Sequence, residues 1–177
     1  MSLLSGVAPE AATGDVAEIY AEVKTVLGGV PNVIRIWSAS PVLLRQQWEF
    51  IKYSLNHPTL SGALSACVRM LVSQRGRCDY CIDLNAEFLV ELYGWTPDQV
   101  AAVRADPKMA NLPERERDML LMVLKAVENP HGVDADELDA LRARGWSDRD
   151  IFDAMNHGAR TVAGDTLISA FKVERDF

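Results

Sequence analysis

Cys78 and Cys81 sit three residues apart in the run Arg75-Gly76-Arg77-Cys78-Asp79-Tyr80-Cys81-Ile82-Asp83-Leu84-Asn85. An apolar helical pattern ends just before the pair, and another begins at it. Helix positions i and i+3 share a face, so both sulfurs can point into one pocket and close a disulfide with little backbone movement. A Cys-x-x-Cys pair at a helix start has its thiol pKa lowered by the N-terminal dipole, which favours the reactive thiolate. Arg75 and Arg77 would add to this effect and Asp79 would oppose it. The simplest chemistry such residues offer is dithiol–disulfide exchange. Zinc is disfavoured, because a structural site takes four ligands and no second paired ligand motif occurs; no metal and no bound cofactor are expected.

Other polar side chains are candidates for supporting roles. Tyr80 lies between the cysteines and either hydrogen-bonds weakly or fills space. Asn85 shares a helix face with Cys81; it can donate to a thiolate or a bound peroxide but cannot take a thiol proton at neutral pH. His157, in Met155-Asn156-His157-Gly158, reads first as a satisfied core or interface histidine. It becomes a replacement base if it faces the cysteines. Cys67 reads as a packing thiol, since free cysteine is among the most buried residue types. Glu49 and Glu87 are the carboxylates to check for a proton relay, though a solvated helix face is the simpler reading of both. His57 and His131 fall in loop-like stretches.

The bulk properties narrow the function classes. The chain has 177 residues and a net charge of −7. With no long basic run, it is a poor fit to nucleic acid or to an anionic membrane surface. Three cysteines, an odd and small number, do not make a secreted disulfide framework. A reducing compartment is expected, and with it a cytoplasmic location. Met1 to Gly14 shows no basic region followed by an apolar run, and no apolar run is long enough to span a bilayer.

Helical periodicity positions these residues. Helices are expected over Asp15–Leu27, Val33–Ser38, Val42–Leu55, Leu60–Val72, Cys78–Tyr93, Thr96–Arg104, Pro113–Val127, Asp134–Ala143 and Ser147–Ala170. Gly28-Gly29, Asn56-His57-Pro58, Gly94, Asn129-Pro130-His131-Gly132 and Gly145 punctuate them. The Leu60–Val72 helix is apolar over more than one face and is expected to be central. The last helix has an expected inner stripe of Ile151, Met155, Val162, Leu167 and Phe171. No stretch alternates with period two, so the fold class is all-α. The expected organisation is one domain over 1–177, with 1–105 holding the cysteine pair and 106–177 packing C-terminal helices on it.

Three blocks then resemble a family. They are Gly29-Val-Pro-Asn-Val-Ile-Arg-Ile-Trp-Ser-Ala-Ser-Pro-Val-Leu-Leu44, Leu60-Ser61 through Cys78-Asp-Tyr-Cys81, and Leu112-Pro-Glu-Arg-Glu-Arg through Asn129-Pro-His, followed by Gly145-Trp-Ser-Asp-Arg-Asp-Ile. In this order they resemble the AhpD-like, carboxymuconolactone decarboxylase family, in particular its peroxidase-related branch. The resemblance implies an AhpD-like helical bundle that assembles as a homo-oligomer, a dimer, trimer or hexamer. It implies a hydroperoxide or disulfide substrate, a dithiol reductant, and a peroxiredoxin-type cycle in which one cysteine becomes a sulfenic acid that the other resolves. It names Cys81 as the attacker and Cys78 as the resolver, whereas dipole physics alone favours the earlier cysteine as the more acidic. The family's redox motif also carries a glutamate twelve residues before the first cysteine and a histidine four after the second. Here those positions are Ala66 and Asn85, so both members of the usual relay are absent. General base assistance is typically worth roughly 10²–10⁴ in rate, so weak activity, or a non-catalytic or regulatory family member, is the alternative expectation.

Overall fold

The computed structural model describes residues 2–176. Among these, nine α-helices and short 3₁₀ turns carry the chain, and no strand occurs, so the all-α expectation holds. The helices are α1 (Gly14–Leu27), α2 (Asn32–Arg35), α3 (Pro41–Leu55), α4 (Gly62–Gly76), α5 (Asp79–Glu91), α6 (Pro97–Ala105), α7 (Glu114–Glu128), α8 (Ala135–Ala143) and α9 (Asp148–Ala170). The stretch expected as one helix over Val33–Ser38 is instead α2 followed by a 3₁₀ turn, Ile36–Ala39.

Local chemistry sets the boundaries. Gly28 ends α1 in the left-handed region at φ 78°, a conformation that glycine adopts without a Cβ clash. Ser61 caps α4 by accepting from the Leu64 amide, and Thr96 with Gln99 closes a capping box on α6. Asp134 and Glu137 do the same for α8. Ser147 and Asp150 exchange bonds at the start of α9, the Ser147 amide donating to Asp150 Oδ2 at 2.9 Å.

The chain divides into two compact units, Met1–Asn56 with Leu167–Phe177, and His57–Thr166. In the first, α1 and α3 enclose Ile19, Tyr20, Val23, Leu44 and Trp48. The Trp48 indole donates to Glu22 at 2.7 Å, which lets a buried polar tip meet an acceptor.

In the second unit, α4 packs mainly on α5 and α7. Nine residues of α4 are buried, which makes it the central helix that its apolar composition predicts. The stripe expected on α9 is partly displaced. Val162 is 43% exposed, while the buried positions are Asp150, Ile151, Ala154, His157, Gly158, Asp165 and Ile168. The inward face of α9 is built from small and polar residues, so hydrophobic periodicity alone rotates it wrongly. At Gly158 a Cβ would lie 2.6 Å from Val123 Cγ1 of α7, so the missing side chain allows α9 and α7 to approach.

Candidate active site

The corner between α4 and α5 builds the site. Helix α4 stops at Gly76, and Arg77 takes the left-handed conformation at φ 55°. The Cys78 amide then donates back to the Ser73 carbonyl at 3.0 Å. This closes the chain reversal and places Cys78 at the N-cap of α5, with Cys81 in its first turn. A non-glycine residue at positive φ is sterically costly. Here it is the geometry that turns α5 back along α4.

Cys78 and Cys81 are in the thiol form, with no disulfide between them, and both are buried, at 3% and 8% exposure. A third group joins them. Asp165, from α9, is 4% exposed, and a carboxylate oxygen of it and the two sulfurs all lie within 4.8 Å of one another. The Ser73 hydroxyl donates to Asp165 Oδ1 at 2.9 Å. The other oxygen, Oδ2, is buried with no N–H or O–H donor, and the Cys81 and Cys78 thiols are the remaining donors beside the carboxylate. A Cβ on Gly76 would come within 3.3 Å of that oxygen, so a glycine at the end of α4 leaves room for it.

Electrostatics follow from this enclosure. The Cys78 sulfur, then burial, then the Asp165 carboxylate hold the proton on Cys81 and keep its pKa above the ordinary thiol value. Burial likewise lifts Asp165 above the usual carboxylate value, and its thiol and Ser73 neighbours hold that rise back. Cys81 and Asp165 therefore do not titrate independently of each other. Three donor atoms could also meet a soft divalent ion, one fewer than the four of a structural zinc site.

The positions of the missing relay are filled differently. Ala66 is fully buried on α4. Asn85, also buried, donates its amide to the Cys81 carbonyl at 2.7 Å and accepts from Arg69 Nε at 2.6 Å. Arg69 Nη1 reaches His157 Nε2 at 3.1 Å. His157 is therefore tied to the cysteine helix through Arg69 and Asn85. Burial, reinforced by Arg69, lowers the imidazole to about 3, although a hydrogen bond to the Ser65 backbone acts the other way. At neutral pH the ring accepts a hydrogen bond through Nε2 and does not hold a second proton. Arg69 itself drops to about 10 through burial and stays cationic at neutral pH.

The remaining candidates lie as follows. Tyr80 is buried on α5. Cys67 is fully buried, and burial with the nearby Glu116 pushes its thiol up to about 12. Glu87 is exposed on α5, and Glu49, in the other unit, is exposed and paired with Lys52. Arg75 binds the Leu124 carbonyl and Glu128 of α7, so its guanidinium is committed away from any thiolate. His57 accepts the Leu60 amide and meets Asp153, fastening the segment ahead of α4.

Asp165 and Arg69 are the two residues that sequence reasoning passed over. Both had a signal. Arg69 is the one cation in the most apolar stretch of α4, where a charge needs a buried partner. Asp165 lies eight residues after His157, two helical turns on, along the small-residue row Gly158, Thr161, Asp165.

No protein-family model matches the chain. An alkyl hydroperoxide reductase of Mycobacterium tuberculosis is 30% identical over 83 residues, 47% of this chain and 24% of that protein. The matched segment thus spans about a quarter of the relative's length. A solved structure described as an alkylhydroperoxidase AhpD core, a peroxidase-related protein from Ralstonia eutropha JMP134, superposes with TM-score 0.85 at 23% identity. It covers 99% of this chain and 92% of its own. The chain has the AhpD-like fold. The curated relative supports the AhpD-like family that the three sequence blocks resemble. The debrominase Bmp8 also superposes, with TM-score 0.76 and 18% identity over 99% of this chain and 93% of its own. One AhpD-like scaffold therefore serves differently named proteins, and activity has to be argued from the site.

Proposed function

We propose that the protein is a thiol-dependent oxidoreductase that reduces a hydroperoxide through the Cys78–Cys81 pair. The observation that supports this reading best is the enclosure of two thiols, not joined in a disulfide, with a carboxylate, donor atoms within 4.8 Å of one another. In the proposed cycle one thiolate attacks a peroxide oxygen, the O–O bond breaks, and an alcohol or water leaves. The sulfenic acid so formed is attacked by the second sulfur, an S–S bond forms, and water leaves. A dithiol reductant restores the pair by two exchange steps. Two oxidising equivalents enter with the peroxide and two electrons with the reductant, so no bound cofactor is required. The functional form is proposed to be a homo-oligomer.

Stopped-flow consumption of hydrogen peroxide and of a bulky alkyl hydroperoxide by the reduced protein tests this. Turnover with a dithiol reductant should be lost in either Cys78→Ser or Cys81→Ser, and single-turnover consumption only in the variant lacking the attacking sulfur. The variant lacking only the resolving sulfur should form a sulfenic acid that dimedone traps, and this assigns the attacker. A wild-type rate no faster than that of free cysteine would reject peroxidase function and leave a non-catalytic relative.

A further inference from the structure

The thiols need a proton acceptor, and the positions where the resemblance puts one hold Ala66 and Asn85. Asn85 carries no exchangeable charge and already binds Arg69 and the Cys81 carbonyl. The His157 Nε2 lone pair is taken by Arg69. We propose that the carboxylate of Asp165 is the proton acceptor of the Cys78–Cys81 site. This rests on the thiol-oxidoreductase reading above.

Three observations carry the inference. A carboxylate oxygen of Asp165 shares a 4.8 Å cluster with both sulfurs. Ser73 occupies Oδ1, so the orientation of the group is set while Oδ2, buried and with no N–H or O–H donor, is left to the two thiols. A buried carboxylate oxygen whose neighbouring donors are thiols is placed to take a thiol proton. Gly76 provides the space in which Oδ2 sits. Burial raises the carboxyl and the Cys81 thiol together, so the transfer rests on the placement of the oxygen against the sulfurs. The groups facing it are Cys81 and Cys78 on α5 and Ser73 on α4. The cations Arg69 on α4 and Arg160 on α9, with neutral His157, lie along the same helices.

The proton moves from Cys81 Sγ to Asp165. If Cys81 attacks peroxide, its new S–O bond forms as O–O breaks, and the proton goes on to the leaving alkoxide. If Cys81 resolves, its new S–S bond forms as the sulfenic S–O breaks, and the proton goes to the leaving hydroxide. Either way the carboxylate is regenerated and hydroperoxide is the only oxidant.

The test is the pH dependence of disulfide formation in chelator-treated protein under single-turnover conditions. Wild type, Asp165→Asn, Asp165→Glu and Ser73→Ala are compared, each with far-ultraviolet circular dichroism to establish folding. In wild type the rate should rise as the carboxyl ionises and then level off across neutral pH. In Asp165→Asn it should fall by roughly 10²–10⁴ at neutral pH and climb in proportion to hydroxide. Asp165→Glu should regain part of the plateau, and Ser73→Ala should keep it at a lower rate. An Asp165→Asn profile parallel to wild type, at any rate, overturns the proposal by making the role structural. So does an effect that appears only when zinc is added, which would make Asp165 a metal ligand. An aromatic disulfide is run beside the hydroperoxide. If wild type reacts with neither, the oxidoreductase reading fails; if it reacts and the profiles match, only the Asp165 proposal fails.

Discussion

At the residue scale the site is a group of weak acids that burial makes weaker. Asp165 has a folded-state pKa above its unfolded one, so between those two values the native state binds more protons than the unfolded chain. Stability therefore falls as pH rises through that window. Asp165→Asn keeps an acceptor for Ser73 and removes the buried charge, so it should raise stability at pH 7 by about 1–3 kcal/mol, the scale of an unmatched buried polar group. Urea titrations at pH 4 and pH 7 check this; a loss at pH 7 would contradict it. His157 gives the opposite slope. Its pKa falls from 6.5 to about 3 on folding, so its contribution is complete above pH 6.5 and is lost as pH drops towards 3. His157→Gln should flatten that acid limb in the same titrations. Cys67, fully buried and at about 12, should resist iodoacetamide at pH 8 in the folded protein and become labelled only when urea unfolds it, as peptide mass mapping would show.

At the element scale two contacts decide the geometry. Helix α9 reaches α7 at Gly158, where a Cβ would be 2.6 Å from Val123 and 3.2 Å from Val127. Gly158→Ala gains about 1 kcal/mol of helix propensity but overpacks a contact worth about 1–3 kcal/mol. A net destabilisation of about 1–2 kcal/mol is expected, with the thermal midpoint as readout. The same shift should move Asp165, two turns on, and slow the thiols. The α4–α5 corner was only partly legible in sequence. Gly76 and the start of an apolar pattern at Cys78 mark a break, but Arg77 at φ 55° contradicts local preference. Tertiary packing holds it there.

At the scale of the whole molecule, several large apolar side chains remain on the surface, Phe152 at 70%, Val42 at 69% and Leu92 at 65% exposure among them. Such surface is a source of self-association. Sedimentation velocity should show assemblies of two or more chains, weakened at least tenfold by Phe152→Asp if α9 takes part. Among the described residues no helix is long and apolar enough to cross a membrane. The two compact units place the entire cysteine cluster within His57–Thr166.

Composition and periodicity by themselves determined the all-α class, most helix boundaries, and the cysteine pair at the head of α5. These depend on local rules: 3.6-residue spacing, capping by Ser61, Thr96 and Asp134, and stops at glycine. The companions of that pair depended on tertiary structure. Asp165 lies 84 positions beyond Cys81 in the chain, and only the packing of α9 brings it to the sulfurs. Arg69 was visible as a lone charge, yet its bonds to Asn85 and His157 join three helices. The sign of the thiol shift changed for the same reason. A helix start acidifies an isolated cysteine, whereas burial beside a second sulfur and a carboxylate does the reverse.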